Sequence, residues 1–184
     1  MKKKTTLATL FLCLAATTAS AQMTNQGAVM PEAPAGTGSL SAPLGDAEFV
    51  RRAIIASRFE FEEARLALGQ ATDPRLKDFA RTMVMDHGEA LKDLETAAGM
   101  AGVTLPDRKV DQTLQARLNV LSRKKGADFD QQYRADQRQV HDEAIALLVA
   151  YQQSGRSEQL RAWAIKMLPV VRQHRTAIGA LNTQ

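Results

Sequence analysis

From Asp46 to Leu181 the apolar residues recur every three or four positions, and no other feature constrains the fold as strongly. Residues spaced this way line one stripe of an α-helix, whereas a strand would alternate at every second position. The first helix is expected over about 46–71, with Val50, Ala53, Ile54, Phe61, Ala64, Ala67 and Leu68 on its apolar arc. Thr72-Asp73-Pro74 opens the second, because Asp73 supplies a capping side chain and Pro74 suits a first turn. That helix should end near Gly99 or Gly102, and Val103 to Pro106 reads as an extended break. A shorter helix is expected over about 109–124, closed by Gly126, and a long one over about 128–154, ending at Gly155. The last should run from about Ser157 to Leu181, with Pro169 predicting a kink or an offset.

Four long helices and one short connector predict an all-α chain, a ferritin-like four-helix bundle with a short crossover helix. Tight links make each long pair an antiparallel hairpin. The connector, at about 1.5 Å per residue, is long enough to carry the chain back along much of the bundle. A faint echo fits two related hairpins: Leu76, Phe79, Ala80 and Met83 have the same spacing as Leu160, Trp163, Ala164 and Met167. Shared packing demands explain that echo equally well. With nine aromatic residues among 184, a many-stranded sandwich or barrel is disfavoured.

Residues 1–21 read as a secretory signal peptide. Lys2, Lys3 and Lys4 precede an apolar run from Leu7 to Ala16, and Ala19-Ser20-Ala21 offers small residues for cleavage before Gln22. The run is shorter than the about 20 residues that span a membrane, so no transmembrane segment is expected after cleavage. Cys13, the single cysteine, lies within the signal, which leaves a mature chain suited to an oxidising exterior. Residues 22–45 carry Pro31, Pro34 and Pro43 among small residues and read as a flexible leader; the bundle would occupy 46–184. These readings place the protein in the periplasm or cell envelope. The formal charge of +4 also shrinks: the signal holds three of the 24 basic residues and none of the 20 acids, so the mature chain is left with +1. The basicity is therefore no argument for a nucleic-acid partner.

Polar residues fall on the apolar faces. Glu60 lies inside the first arc, and Glu63 at its margin. His87 lies near the centre of the second helix's apolar face, with Asp86 at the edge. His141 borders the face of the fourth helix, and His174 lies among the inward residues of the last. Glu60 precedes Asp73 by 13 residues and His87 follows it by 14, so the two should sit at similar heights. His141 lies 14 residues before Gly155 and His174 19 after it, an offset of more than a helical turn. Two readings are open. The polar groups satisfy one another within the core, with the Tyr133 hydroxyl as one available partner, or they bind a divalent metal through a carboxylate and imidazoles.

Other chemistry finds little support. The Glu-x-x-His pair of ferritin-like di-metal centres is absent, which argues against ferroxidase, di-iron oxygenase and manganese catalase activity. No phosphate-binding glycine pattern occurs, and nothing places a Ser-His-Asp set together. Met83 or Met85 with a histidine could ligate haem, but these methionines read more simply as core filler. Arg51, Arg58 and Arg65 form a stripe interrupted by Glu62, which reads as a solvated face. No catalytic set is recognisable.

Several pieces together resemble the exported bacterial domain-of-unknown-function family 4142. They are Asp46 with Phe49, Glu60 with Leu66-Ala67, Phe79-Ala80 with Met83 and Asp86-His87, and Leu105-Pro106. Phe129-Asp130 with Tyr133, then His141, then Leu168-Pro169 with His174 complete the set. The resemblance implies an exported ferritin-like helical bundle and no particular reaction. It marks Glu60, Asp86, His87, His141 and His174 as matching the family's polar pattern. The leading expectation is a non-enzymatic bundle serving envelope stress or an interaction; the alternative is a divalent-metal protein using those five residues. A third reading is self-association or partner binding through Ile55, Phe59 and Leu66 on the far side of the first helix, unless the leader or connector covers them.

Overall fold

The computed structural model describes residues 44–107 and 109–181, and every regular element among them is an α-helix. In chain order these are α1 (Asp46–Gln70), α2 (Pro74–Met100), α3 (Gln112–Arg123), α4 (Gly126–Ser154) and α5 (Glu158–Ala180). The expected signal peptide, and all of the expected leader before Leu44, lie outside the described residues.

Local chemistry sets the helix ends. The Asp73 side chain accepts from the Arg75 amide and Pro74 occupies the first turn of α2. Asp111 caps α3 by accepting from the Leu114 amide, and Ser157 caps α5 through Leu160. After α2, Gly102 has φ 68°, its amide bonds the Gly99 carbonyl, and the Val103 amide bonds the Ala98 carbonyl. That pair of bonds is a Schellman closure, which needs a left-handed residue that glycine adopts without a Cβ clash. Gly126 was expected to close the connector; at φ 56° it instead forms the first residue of α4. Pro169 does not interrupt α5. The carbonyl it leaves unbonded belongs to Ile165, a residue 60% exposed, so water can serve it.

The long helices form a bundle of two hairpins, α1–α2 and α4–α5, with α1 beside α4 and α2 beside α5. Helix α3 crosses the outer side of α1 and also touches α4. It brings Leu118 onto Phe59 and Val140, with Leu66 and Leu114 packed against them. Phe59 is thereby fully buried, so the connector covers most of the apolar far side of α1. Burying a side chain of this size stabilises by about 1.5–3 kcal/mol.

Both ends of the bundle are tied by carboxylates. At one end Asp130 of α4 accepts from the Thr72 amide (2.9 Å), the Thr72 hydroxyl (2.5 Å) and the Asp73 amide (2.9 Å). Arg134 reaches Asp73 at 2.9 Å. At the other end Asp46 accepts from the Tyr151 hydroxyl at 2.5 Å and the Arg156 amide at 3.3 Å. Phe49 stacks on Tyr151 with centroids 3.7 Å apart, and Trp163 meets Phe49 edge-on at 5.9 Å.

Asp73 gives an acid-stability prediction. The Arg75 hydrogen bond foremost, with help from Arg134, holds its carboxyl at about 2 instead of the ordinary 3.8. A depressed carboxyl stabilises the fold above its unfolded pKa and loses that contribution as pH falls through the folded one. Part of the stability should therefore disappear between about pH 4 and pH 2. Asp73→Asn should flatten that limb in urea titrations at stepped pH; an unchanged limb would remove Asp73 as its cause.

The core is divided across its middle. One apolar cluster includes Phe49, Ile54, Leu94, Tyr151, Trp163 and Met167. Another includes Ala64, Phe79, Met83, Phe129, Tyr133 and Ile178. Between them, buried polar residues from each long helix form a belt: Glu60 and Glu63 on α1, His87 on α2, Gln137 and His141 on α4, and His174 on α5.

Candidate metal centre

Each histidine rides on a different helix, and all three are buried. Their ring centroids are 5.6 Å apart for His141 and His174, 5.8 Å for His87 and His174, and 6.2 Å for His87 and His141. One ligating nitrogen from each ring lies within 4.8 Å of the others.

The hydrogen bonds decide which nitrogens are free. His141 Nδ1 donates to the Gln137 carbonyl at 2.7 Å, which puts the lone pair on Nε2, and Nε2 has no partner. His174 Nε2 donates to Asp86 Oδ2 at 2.7 Å, leaving Nδ1 with the lone pair and no partner. Neither nitrogen of His87 is hydrogen-bonded. Glu60 lies behind two of the rings: Oε2 is 3.4 Å from His87 Nδ1, and Oε1 is 3.4 Å from His141 Nδ1.

Burial sets the protonation. It is the main cause that drives His87 well below the ordinary histidine value, and the neighbouring His141 and His174 add to the effect. It also lowers His141 to about 4, against the Gln137 hydrogen bond, which acts the other way. Burial raises the Glu60 carboxyl to about 8, and Glu143 adds to the rise. At neutral pH His87 and His141 are therefore neutral imidazoles, the form that ligates metals.

The five residues singled out from sequence all converge, in two different positions. His87, His141 and His174 form the inner group, while Asp86 and Glu60 stand behind imidazoles. A carboxylate or carbonyl holding the far side of a ligating imidazole is the usual outer support of a metal site. A tetrahedral ion with bonds of about 2.0–2.1 Å holds its ligand atoms about 3.4 Å apart. The nitrogens, within 4.8 Å of one another, would thus close by up to about 1.4 Å on binding.

The offset expected between His141 and His174 is absent. Gln152 bonds the Ala164 carbonyl and Arg175 bonds Asp142, pairs whose midpoints lie near residue 158. The α4–α5 hairpin thus pivots beyond Gly155, which brings the two histidines level. Gln137 was not singled out, although its place four residues before His141 puts it on the same helical face. Its amide donates to Glu63 at 2.9 Å. Glu63, expected at the margin of its arc, is fully buried. The Tyr133 hydroxyl, expected as a partner for the polar core, has none.

A family profile described as "Domain of unknown function (DUF4142)" matches residues 29–181. The chain belongs to the DUF4142 family. No curated protein matches the sequence. Among solved structures, the DUF4142 chain resembles the crystal structure of a DUF305 fragment from Deinococcus radiodurans, with a TM-score of 0.63 at 15% identity. The match covers 73% of this chain and 93% of that one, and at this identity it speaks for the helical fold alone.

Proposed function

We propose that this protein binds one divalent transition-metal ion through His87, His141 and His174, within a ferritin-like bundle exported to the periplasm or cell envelope. One observation carries the reading: three buried imidazoles, from three helices, bring one nitrogen each within 4.8 Å of the others, and every ring keeps an unpartnered nitrogen. A purely structural polar core would pair those atoms, since buried polar groups are nearly always hydrogen-bonded. An envelope stress or interaction role alone gives no reason to leave them unpaired. Soft thiolate ligands are absent and imidazole suits zinc, iron, copper and nickel, so the ion belongs to that group.

The ferritin-like assignment is supported by two antiparallel hairpins joined by a crossing helix. Export is supported by the three lysines, the apolar run and Ala19-Ser20-Ala21. No helix among the described residues is long and apolar enough to cross a membrane. Mass spectrometry of the protein from a periplasmic fraction should find a mature chain starting at Gln22; a full-length chain would refute cleavage.

The metal test uses purified protein stripped with chelator and dialysed against single ions. One equivalent should be retained per chain, and the melting temperature should rise. A free ion at a hundredfold over its Kd stabilises by about 2.7 kcal/mol, lost again on chelation. If zinc, iron, copper and nickel all leave both metal content and melting unchanged, the proposal is wrong.

A further inference from the structure

With the helices as they stand, the three imidazoles are sealed from solvent. The side chains of His87, His141 and His174 are at most 5% exposed, and that of Glu60 is 2% exposed. Asp86 differs: its side chain is 34% exposed, and the same carboxylate holds His174 Nε2 at 2.7 Å. Of the five residues of the site, it is the one with substantial contact with water. A cavity of about 30 Å³ lies beside Glu60 and His87, but neither His141 nor His174 lines it. An ion can therefore reach all three rings only if a helix moves, and the side facing water is the one where α2 meets α5.

Helix α5 is held unevenly about Pro169. Before the proline, Lys166 bonds Asp93 of α2 at 2.6 Å, and the Ala164 carbonyl accepts from Gln152 of α4 at 2.9 Å. At the proline the helix loses one backbone hydrogen bond, because the ring supplies no amide to the Ile165 carbonyl. Helices bend most readily at such positions. His174 follows five residues later, about 7.5 Å along the axis at about 1.5 Å per residue. Beyond the proline, α5 is tied to α2 by His174 and Asp86, and to α4 by Arg175 Nε donating to Asp142 at 2.7 Å. The second of these ties lies between solvent-facing side chains, a kind of pair that holds only weakly. Val171 and Ile178 remain seated in the two apolar clusters, which keeps any swing small.

We propose that the stretch of α5 after Pro169 is the entry gate of the metal site: it pivots at the proline, draws His174 away from His87 and His141, and lets the ion in past Asp86. This rests on the metal-binding reading above. Asp86 meets the arriving cation first, since its carboxylate is the site's acid that faces water. The ion then exchanges its waters for the nitrogens of His87 and His141, and the returning His174 supplies the third bond. The closed gate explains how ligands this deeply buried can still load and release an ion: both steps wait on the same opening.

The test mixes metal-free mature protein rapidly with zinc and times the loss of free ion with a fluorescent indicator; release is timed by transfer to excess chelator. The loading rate should level off as zinc is raised, at a plateau set by gate opening, and nickel should give the same plateau. Asp142→Ala frees α5 from α4 and should raise that plateau about two- to fivefold, the worth of one exposed ion pair. Release should quicken by the same factor, leaving the equilibrium affinity unchanged. The substitution also removes a negative charge beside His141, which by itself would slow an arriving cation, so a faster rate separates the latch from electrostatic steering. Pro169→Ala restores the missing helical bond and should slow loading and release together, by about two- to tenfold. Ala144→Leu, which narrows the cavity beside Glu60, should leave both rates as they are. A loading rate that stays proportional to zinc, a plateau that either α5 variant fails to move in its stated direction, or a slowing by Ala144→Leu overturns the proposal and leaves metal binding standing. Failure to retain zinc, nickel or any other dication overturns both.

Discussion

Replacing His141 with alanine should abolish stoichiometric metal retention, with affinity falling by more than about a hundredfold. The change removes one of the three nitrogens proposed as ligands together with the ring that the Gln137 carbonyl orients. Changes to outer supports of a metal typically cost about 10–100-fold, so loss of a ligand should exceed that range. Asp86→Asn should fall within it. Asparagine can still accept from His174 Nε2, but as a neutral acceptor it makes that nitrogen's partner a weaker base. The ordering is the informative outcome, read by competition with a chromogenic chelator and checked by circular dichroism for folding. Wild-type metal content in His141→Ala would sink the three-histidine site. A larger loss in Asp86→Asn than in His141→Ala would make Asp86 a ligand and the present division of roles wrong.

Glu60→Leu should make the metal-free protein more stable, by about 1–3 kcal/mol, the usual cost of an unsatisfied buried polar group. Glu60 Oε1 has no hydrogen-bond partner, and the nearest imidazole nitrogens stand at 3.4 Å. The pH dependence supplies an independent check. Burial raises this carboxyl to about 8, so between about pH 4.5 and 8 the folded chain holds a proton that the unfolded chain has released. Stability from this group is full below the unfolded pKa and is lost as pH rises through the folded one, at no more than about 1.4 kcal/mol per pH unit. His141 acts oppositely: its folded value near 4 lies below the ordinary 6.5, so falling pH through that window favours the unfolded chain. Denaturant unfolding of the metal-free protein should show Glu60→Leu removing the loss on the alkaline side while the acid side persists. A less stable variant with an unchanged alkaline slope would mean Glu60 is satisfied in solution.

Much of this architecture was legible because helical periodicity is a local property. Asp73-Pro74 and Ser157 announce their helix starts, and the apolar arcs announce which faces turn inward. The convergence of Glu60 and His87 followed from counting outward from Asp73, since a tight link leaves little freedom in register. The same count failed for His141 and His174, because the register of α4 against α5 is set by side-chain packing and by bonds such as Gln152 to the Ala164 carbonyl. No local pattern encodes that choice. The division of roles within the site was also hidden. Spacing put Asp86 and His174 near the same faces but could not show that the carboxylate takes Nε2 and leaves Nδ1 free. Asp130 likewise gives no sign in sequence that it ties the α1–α2 turn to the foot of α4.

The belt across the middle of the bundle also bears on how the molecule comes apart. The apolar clusters above and below it are separate bodies of contact, each with its own aromatic anchor, Phe49 with Tyr151 in one and Phe129 with Tyr133 in the other. What joins them through the middle is helical backbone, a polar layer in which several atoms lack partners, and the small apolar group of Phe59, Leu118 and Val140, together a weaker conductor of cooperativity than a continuous core. The two halves are therefore set to open semi-independently, and amide hydrogen exchange should resolve them as two protection levels instead of one. An ion gripping α2, α4 and α5 at that seam would weld them into a single unfolding unit.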